Sequence, residues 1–299
     1  MNKFLLSCAA LWASPALVAA DDHTDAKGEE TKIVEKTGGK FSLLATECKA
    51  EDDSVLETTP GAPPLDIDDP NTPGCNGWEV NIVTSGELGK AMSFETPLFD
   101  INYGIGDNIQ LKVEAPFTVT RIDGVSKTGV GDAEVGIKHR FFEDESRDMT
   151  IAVYPQLEFA IPGADKADDY MGPVVKFPVL LSTKVGETRK GDVMITANAA
   201  YNLATSSDAH DYIAAAFGIG FPLTRSIAMM VEGTTEQSLG NNMAGVRESV
   251  YKANVGFLGK VNSHVLWFGA LGESYSSSDA EDSTHTCLVA GFRFLAGGP

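Results

Sequence analysis

Apolar and polar residues alternate with a period of two along most of the chain after residue 77. In one stretch, Ile109, Leu111 and Val113 interleave with Gln110 and Lys112. A helix would spread such apolar residues around its surface, whereas a strand points successive side chains to opposite faces. The alternation therefore predicts an all-β structure. The predicted strands cover residues 78–85, 93–103, 108–121, 130–142, 148–161, 172–185, 191–203, 211–223, 225–236, 247–260, 262–274 and 284–295.

These strands are long, and the links between them alternate in length. Most exceed the five or six residues of a soluble strand and approach the ~9–11 residues of a tilted transmembrane strand. Short links such as 104–107 and 143–147 alternate with longer polar links such as 86–92 and 122–129. This layout predicts an antiparallel transmembrane β-barrel of about twelve strands in the bacterial outer membrane. A soluble two-sheet sandwich is the alternative, but it does not explain the strand and link lengths together.

Two segments precede the predicted barrel. Residues 1–20 have a positive start, a largely apolar stretch and small residues at the end, which is the pattern of a cleaved signal peptide. Residues 21–77 carry 14 Asp and Glu against five Lys and contain few apolar residues. We therefore expect an acidic periplasmic arm that is mostly disordered. The outer-membrane barrel is predicted at residues 78–299.

Export places the cysteines in an oxidising compartment, where disulfides persist. Cys48 and Cys75 flank a polar part of the arm and can close a loop of about 26 residues, to which the chain-entropy model assigns ~3 kcal/mol. Cys287 is left over and is interpreted as a small buried residue of a strand. The sequence therefore offers one candidate disulfide and leaves open whether it forms.

Charge and motif content exclude several classes of function. The formal net charge is −19 and the pI is about 4.6, which argues against nucleic acid as a partner because phosphate binding needs a basic surface. The sequence contains no P-loop, no HExxH and no Cys-x-x-Cys motif, and its five histidines show no metal-ligand spacing. We therefore expect neither a cofactor nor a metal. An outer-membrane enzyme is the weakest of the alternatives.

Several short motifs carry a family resemblance. They are Asp69-Pro70-Asn71-Thr72-Pro73-Gly74, Trp78-Glu79-Val80-Asn81-Ile82, Asp100-Ile101-Asn102-Tyr103-Gly104, Gly129-Val130-Gly131-Asp132 and Gly136-Ile137-Lys138-His139-Arg140-Phe141. They resemble the bacterial outer-membrane barrel family named for the meta-pathway of phenol degradation, whose members are often called transporters. The resemblance covers about a third of the chain. It implies a porin-like transport function for small molecules, aromatic or hydrophobic ones included. The aromatic residue of the last strand resembles the signal that the barrel-insertion machinery reads, which implies that machinery as a partner, besides outer-membrane lipid.

Charged residues on the predicted inner face are the best functional lead. They are Lys112, Glu114, Asp132, Glu134, Lys138, Arg140, Glu158 and Lys176. If consecutive strands pair antiparallel about the centre of the link between them, Glu114 comes to lie near Lys138 and Glu158 near Lys176. Such a row of charges either fills the lumen with ion pairs or lines a pore. Strand number does not decide between them, because side chains fill an eight-stranded barrel, a sixteen-stranded barrel leaves a water channel, and a twelve-stranded barrel is intermediate in width. The first hypothesis is a passive channel for small molecules, and the second is a structural or binding barrel with a closed lumen.

Overall fold

The computed structural model describes residues 38–48, 56–59, 66–165, 172–206, 210–240, 247–278 and 282–298. The predicted signal peptide and residues 21–37 of the predicted arm lie outside these ranges. Within them the structure contains strands and no helix, so no helix there could span a membrane. The strands are β1 (Lys40–Phe41), β2 (Trp78–Leu88), β3 (Met92–Ile105), β4 (Ile109–Ile122), β5 (Val125–Val130), β6 (Ala133–Asp144), β7 (Met149–Val153), β8 (Gln156–Phe159), β9 (Val174–Thr188), β10 (Gly191–Ala204), β11 (Tyr212–Pro222), β12 (Ile227–Ser238), β13 (Glu248–Asn262), β14 (Val265–Ser278) and β15 (Ser283–Ala296).

The strands form one closed antiparallel barrel. Each wall strand pairs with the next in sequence, and β15 pairs with β2 to close the ring, with Phe292 opposite Ile82. β5 and β6 follow each other along β4 and act as one wall strand, as do β7 and β8 along β6 and β9. The wall therefore has twelve strands, which confirms the predicted fold. We call the end where β2 begins and β15 ends the turn side, and the opposite end the loop side.

Two links that the sequence predicts to be long are short. Only residues 89–91 separate β2 from β3, and β4 turns into β5 at Asp123 and Gly124. Both turn residues have positive φ values, 51° and 81°. A two-residue turn of this kind matches the twist of a hairpin. The hairpin therefore extends into residues 125–130, which the sequence places mostly in a loop.

The outer surface of the barrel is apolar. Trp78 and Tyr103 pack on it with ring centroids 4.7 Å apart, and Tyr251 and Tyr275 stack at 6.5 Å. Other exposed side chains on the wall include Phe99, Ile101, Val113, Ile137, Phe177, Phe217, Val255, Phe257, Leu271 and Phe292. A continuous apolar exterior of this extent is unfavourable in water and suits lipid, where the closed sheet leaves no backbone edge unpaired.

The inner surface has two parts. Most inward side chains are polar and buried, among them Asn81, Asn102, Gln110, Thr196 and Asn254. On the wall from β12 through β15 to β3, however, inward residues form an apolar cluster. It consists of Val83, Leu98, Ala228, Met230, Leu258, Leu266 and Phe268, with Leu56 packed against it. The lumen is thus polar on one side and partly apolar on the other.

The position of the apolar outer surface in the bilayer can be tested by placing an arginine near the middle of one strand and near the end of another. Leu271 lies near the middle of β14 and Leu203 next to the end of β10, and both are exposed. In a bilayer, Leu271→Arg should cost about 2–4 kcal/mol of unfolding free energy and Leu203→Arg about 0–1 kcal/mol. Equilibrium denaturant unfolding in lipid vesicles measures both values. Equal costs at the two positions would contradict the placement of the belt.

Candidate functional site in the barrel lumen

Five of the eight predicted inner-face residues form one chain of ion pairs. Glu114, Glu134 and Glu158 lie directly opposite one another on β4, β6 and β8. Lys112 Nζ lies 2.8 Å from Glu114 and 2.7 Å from Glu134, and Lys176 Nζ lies 2.8 Å from Glu134 and 2.6 Å from Glu158. Like charges opposite each other destabilise a sheet. The two lysines therefore hold together a row of three carboxylates that would otherwise repel.

One predicted pairing is wrong. Glu114 does not lie near Lys138, because Lys138 is opposite Gln110 and Glu114 is opposite Glu134. The tight turn at residues 123–124 explains the difference. The prediction folded the strands back through a longer loop, which placed Glu114 near Lys138, four residues beyond its actual partner Glu134.

Lys138 instead contacts the chain that precedes the barrel. Its ammonium donates to the backbone oxygens of Asp69 at 2.7 Å and Asn71 at 3.1 Å. It also lies 4.7 Å from the ring centroid of the buried Tyr154. A cation over an aromatic face is attracted by the ring quadrupole. This buried lysine thus fixes the preceding chain against β6.

The last two predicted residues lie on the β5–β6 wall strand, Arg140 near its turn-side end and Asp132 near its middle. Arg140 donates to the backbone oxygen of Asp107, in the turn between β3 and β4, at 2.8 Å. Asp132 lies in the two-residue break between β5 and β6 and is half-buried. Neither position shows whether solute passes, so the lining of a solute path by the eight residues stays a prediction.

Residues 56–59 and 66–77, which we call the lumen segment, enter the barrel from the turn side. Arg293 on β15 anchors them, with Nη1 2.9 Å from Glu57 of the segment and Nη2 3.4 Å from Glu79 on β2. The Arg293 side chain is only 7% exposed. A buried cation of this kind requires partners, because removing one leaves an uncompensated charge.

A second part of the lumen segment, at Asp66, is bound to β12 and β13. The Asp66 carboxylate lies 3.1 Å from Lys252 and accepts from the Asn254 amide at 2.9 Å. The Asp66 backbone N–H donates to Glu232 at 2.9 Å. Ile67, the next residue, is almost fully buried. The segment is therefore bound to β12 and β13 as well as to β6 and β15.

A glycine in the barrel wall allows the backbone of the lumen segment to pass close to β11. A Cβ atom at Gly220 on β11 would lie 1.8 Å from the backbone oxygen of Thr58. Any side chain there would displace the segment. The Thr58 hydroxyl donates to the backbone oxygen of Asp192 on the neighbouring strand at 3.1 Å. Gly220 thus makes the close approach of segment and wall possible.

A disulfide joins Cys48 to Cys75, with their Cα atoms 5.2 Å apart. Near it, the side chain of Asn108 accepts from the Thr46 backbone N–H at 2.9 Å and donates to the Leu44 backbone oxygen at 3.0 Å. Residues 38–48 are thereby fixed to the turn-side rim, with β1 paired to β6. The predicted mostly disordered arm is not confirmed, because its described parts are bound to the barrel.

The lumen segment divides the free space of the barrel. A cavity of about 430 Å³ lies toward the loop side, where Glu87 and Glu95 contribute to its wall. One of about 410 Å³ lies toward the turn side, beside Lys190 and Arg225. Between segment and wall remains a polar cavity of about 160 Å³ near Lys112. The lumen segment thus borders free space on both its loop side and its turn side.

Sequence reasoning missed the contacts of the lumen segment. Arg293 and Lys252 occupy inward positions of alternating strands, which marks them as lumen residues, but their partners in the lumen segment, Glu57 and Asp66, lie more than 180 positions away. The one available signal was Cys75, which lies three residues before β2 and ties its disulfide partner to the start of the barrel.

The fold is similar to that of known outer-membrane proteins. No protein-family model matches the sequence, and no curated protein matches it. Among solved structures, an outer membrane channel from Pseudomonas putida F1 superposes with a TM-score of 0.57 at 10% identity, covering 78% of this chain and 100% of that one. The NanC porin superposes with a TM-score of 0.50 at 9% identity, covering 72% and 98%. At such identities the similarity establishes the barrel fold and leaves the phenol-degradation family resemblance a prediction.

The Arg293 anchor predicts a large loss of stability on substitution. Arg293→Met leaves Glu57 and Glu79 without their cation, and breaking a buried pair costs about 3–5 kcal/mol. Arg147→Met is the matched control, since the Arg147 side chain is 73% exposed and pairs with the turn residue Asp144 at the surface. Its unfolding free energy should change little. Denaturant unfolding compares the two, and equally small losses would show that Arg293 does not anchor the segment.

The unfolding free energy of the protein should depend on pH through the titration of Asp69 in the lumen segment. Burial, and after it nearby Glu57, raise the pKa of Asp69 to about 8, and Lys138 and Arg293 oppose this rise only in part. An acid whose pKa is raised on folding stabilises the fold at low pH, and this contribution is lost as pH rises through the folded pKa. Asp69→Asn mimics the protonated form. It should match wild type near pH 4 and become the more stable protein by pH 9.

Unfolding free energies of wild type and Asp69→Asn across this pH range provide the measurement. Asp192→Asn is a suitable comparison, because Asp192 is half-exposed and already neutralised by Lys184 at 2.7 Å. A difference between wild type and Asp69→Asn that stays constant from pH 4 to pH 9 would exclude the proposed titration.

Proposed function

We propose that this protein is a passive outer-membrane channel for small solutes whose lumen is narrowed by its own N-terminal chain. One observation carries the proposal: a closed, largely polar-lined barrel holds free space on both sides of an inserted segment. An eight-stranded barrel would be filled by side chains alone. Here the twelve strands leave a lumen that a separate stretch of chain occupies in part.

The exterior supports the membrane location. An apolar outer face with aromatic pairs near strand ends is typical of barrels in the bacterial outer membrane. Outer-membrane lipid is then the main partner of the outer wall. The final aromatic residue, Phe294, is exposed on β15 and fits recognition by the barrel-insertion machinery. The net charge of −19 argues against nucleic acid as a partner.

The lumen segment sets the size limit in this proposal. The space between it and the wall holds about 160 Å³ and is lined by polar groups such as Asn102, Gln110 and Lys112. Water and small polar solutes fit a space of that size, since one water takes about 30 Å³ of liquid volume. Larger solutes, including the aromatic ones that the family resemblance implies, require the segment to shift.

A deletion tests the role of the segment. Because the Cα atoms of Cys48 and Cys75 are 5.2 Å apart, residues 49–73 can be removed and Cys48 joined directly to Gly74 with little strain. The deletion variant also carries Cys48→Ser and Cys75→Ser. In planar bilayers its single-channel conductance should be several-fold above that of wild type. The control is the full-length double serine variant, which should stay close to wild type.

The outcomes separate the two hypotheses. Conductance in wild type that rises in the deletion variant supports a channel narrowed by its segment. Conductance only in the deletion variant supports the alternative, a closed barrel, which the buried contacts of Lys138 and Arg293 favour. An unchanged conductance would show that the segment does not limit the path. Absence of conductance in both proteins would overturn the channel proposal.

A further inference from the structure

The chain that precedes the barrel carries an apolar patch at the turn-side rim. It consists of Phe41, Leu43 and Leu44, which are 72%, 84% and 80% exposed. They are the most exposed large apolar side chains among the described residues. Contiguous apolar groups that stay exposed in this way mark an interaction site. We call these three residues the rim patch.

A sheet edge holds the first residue of the rim patch in place. The end of β6 extends past the start of β4, and β1 pairs with the edge that this leaves. Phe41 lies opposite Phe142 in that pairing. The Ser42 N–H donates to the backbone oxygen of Phe141 at 2.8 Å. The edge of β6 is thereby covered, and Phe41 has a defined position on the wall.

The side chain of Phe41 faces the outside of the barrel. Directly opposite residues of a strand pair share one face of the sheet, and Phe142 lies opposite Ile151 on β7. The next residue of β7, Ala152, is fully buried beside Tyr154, which lines the lumen. Successive residues of a strand alternate between faces. Ile151 and Phe142 therefore point outward, and Phe41 does the same.

Phe41 adds to the aromatic residues at the turn-side end of the outer wall. Its ring centroid lies 4.8 Å from that of Phe142 and 6.5 Å from that of Phe141. Phe142 lies two residues before the end of β6, and Tyr103, which packs on Trp78, lies two residues before the end of β3. Outer-membrane barrels carry a girdle of aromatic residues at this level. The rim patch is thus continuous with the apolar outer surface.

The backbone is bound on both sides of the two leucines. The chain bends at Leu43 and Leu44, just after the Ser42 hydrogen bond to β6. Beyond the bend, the Asn108 amide donates to the Leu44 backbone oxygen at 3.0 Å and accepts from the Thr46 N–H at 2.9 Å. The leucines are therefore presented at a fixed place, and binding a surface does not require this chain to become ordered first.

An exposed ion pair borders the rim patch. Lys40 Nζ lies 3.3 Å from Glu145, in the turn that follows β6, and both side chains are more than half exposed. The chain thus passes from charged to apolar side chains between Lys40 and Phe41. Such a change is typical of a chain at the boundary between lipid headgroups and hydrocarbon. Together with the continuity with the outer wall, it favours a lipid surface as the partner.

We propose that the rim patch inserts into the lipid interface and anchors the chain that precedes the barrel to the membrane. The proposal rests on the proposed membrane location of the barrel and extends the lipid contact from the wall to residues 41–44. Recognition is by burial of apolar side chains among lipid acyl chains. Because a disulfide joins Cys48 to Cys75, the anchor also fixes the turn-side attachment of the lumen segment.

Fluorescence quenching tests the contact with lipid. Leu43→Trp is made in a full-length chain whose tryptophans, Trp12, Trp78 and Trp267, are replaced by Phe. In phosphatidylcholine vesicles, lipid brominated on the upper acyl chain should lower its emission at least twofold, and acrylamide in the water should have little effect. Arg147→Trp, in the turn after β6, is the matched control and should show the reverse. A chain that retains Trp78 alone reports on the wall.

Amide hydrogen exchange tests the anchoring. The double variant Leu43→Ser, Leu44→Ser loses little packing within the protein, because both side chains are exposed. In vesicles it should exchange the amides of residues 38–48 about fivefold faster than wild type or more, since lipid no longer holds them. Replacing both leucines by Met should preserve the slow exchange. Ile122→Ser with Val125→Ser, two exposed residues at a loop-side turn, is the control and should leave residues 38–48 unchanged.

Gel migration before and after boiling confirms that each variant is folded. Quenching of Leu43→Trp by acrylamide and not by brominated lipid, with Trp78 quenched by the lipid, overturns the lipid contact and assigns the rim patch to a partner on the water side. If Trp78 also escapes lipid quenching, the membrane location of the wall is wrong as well. Lipid quenching of Leu43→Trp with unchanged exchange in the double serine variant overturns the anchoring role.

Discussion

Closure of the sheet between β15 and β2 is the constraint on which the rest of the structure depends. It leaves no strand edge with unpaired backbone groups, so the outer face can be apolar throughout. It also confines every inward side chain to one narrow space. Inward charges that pack against each other or against the lumen segment are then held by ion pairs. The row of Glu114, Glu134 and Glu158 is tolerated only because Lys112 and Lys176 lie between its members.

Some inward-facing cations of the barrel wall have hydrogen-bond or ion-pair partners in the lumen segment. Lys138 is bound by backbone oxygens of Asp69 and Asn71, and Arg293 by the carboxylate of Glu57. In return, the wall supplies Lys252 for Asp66. Segment and wall are therefore complementary in charge. The segment needs little apolar surface of its own, because polar contacts to a preformed wall replace a hydrophobic core.

This explains which features could be predicted from the sequence. Strand positions follow from alternation, which the lipid outside and the lumen inside impose on every wall strand. The β4–β6 register depends on a tight turn at Asp123 and Gly124, a dipeptide typical of two-residue hairpins that the prediction of a longer loop overlooked. The lumen segment, in contrast, could not be predicted. Its composition resembles that of a disordered chain, and only the three-dimensional positions of Lys138 and Arg293 show what binds it.

In the proposed channel, the same contacts would give two regimes of passage. The segment is bound at Arg293, at Lys138 and at Lys252, so a small displacement at one point leaves the other anchors intact. Solutes small enough for the space beside it need no such displacement. Larger solutes require several buried charges to lose their partners together, which is costly unless water enters at the same time. The disulfide at Cys75 keeps the displaced chain tethered to the turn-side rim, so the segment can return to the lumen.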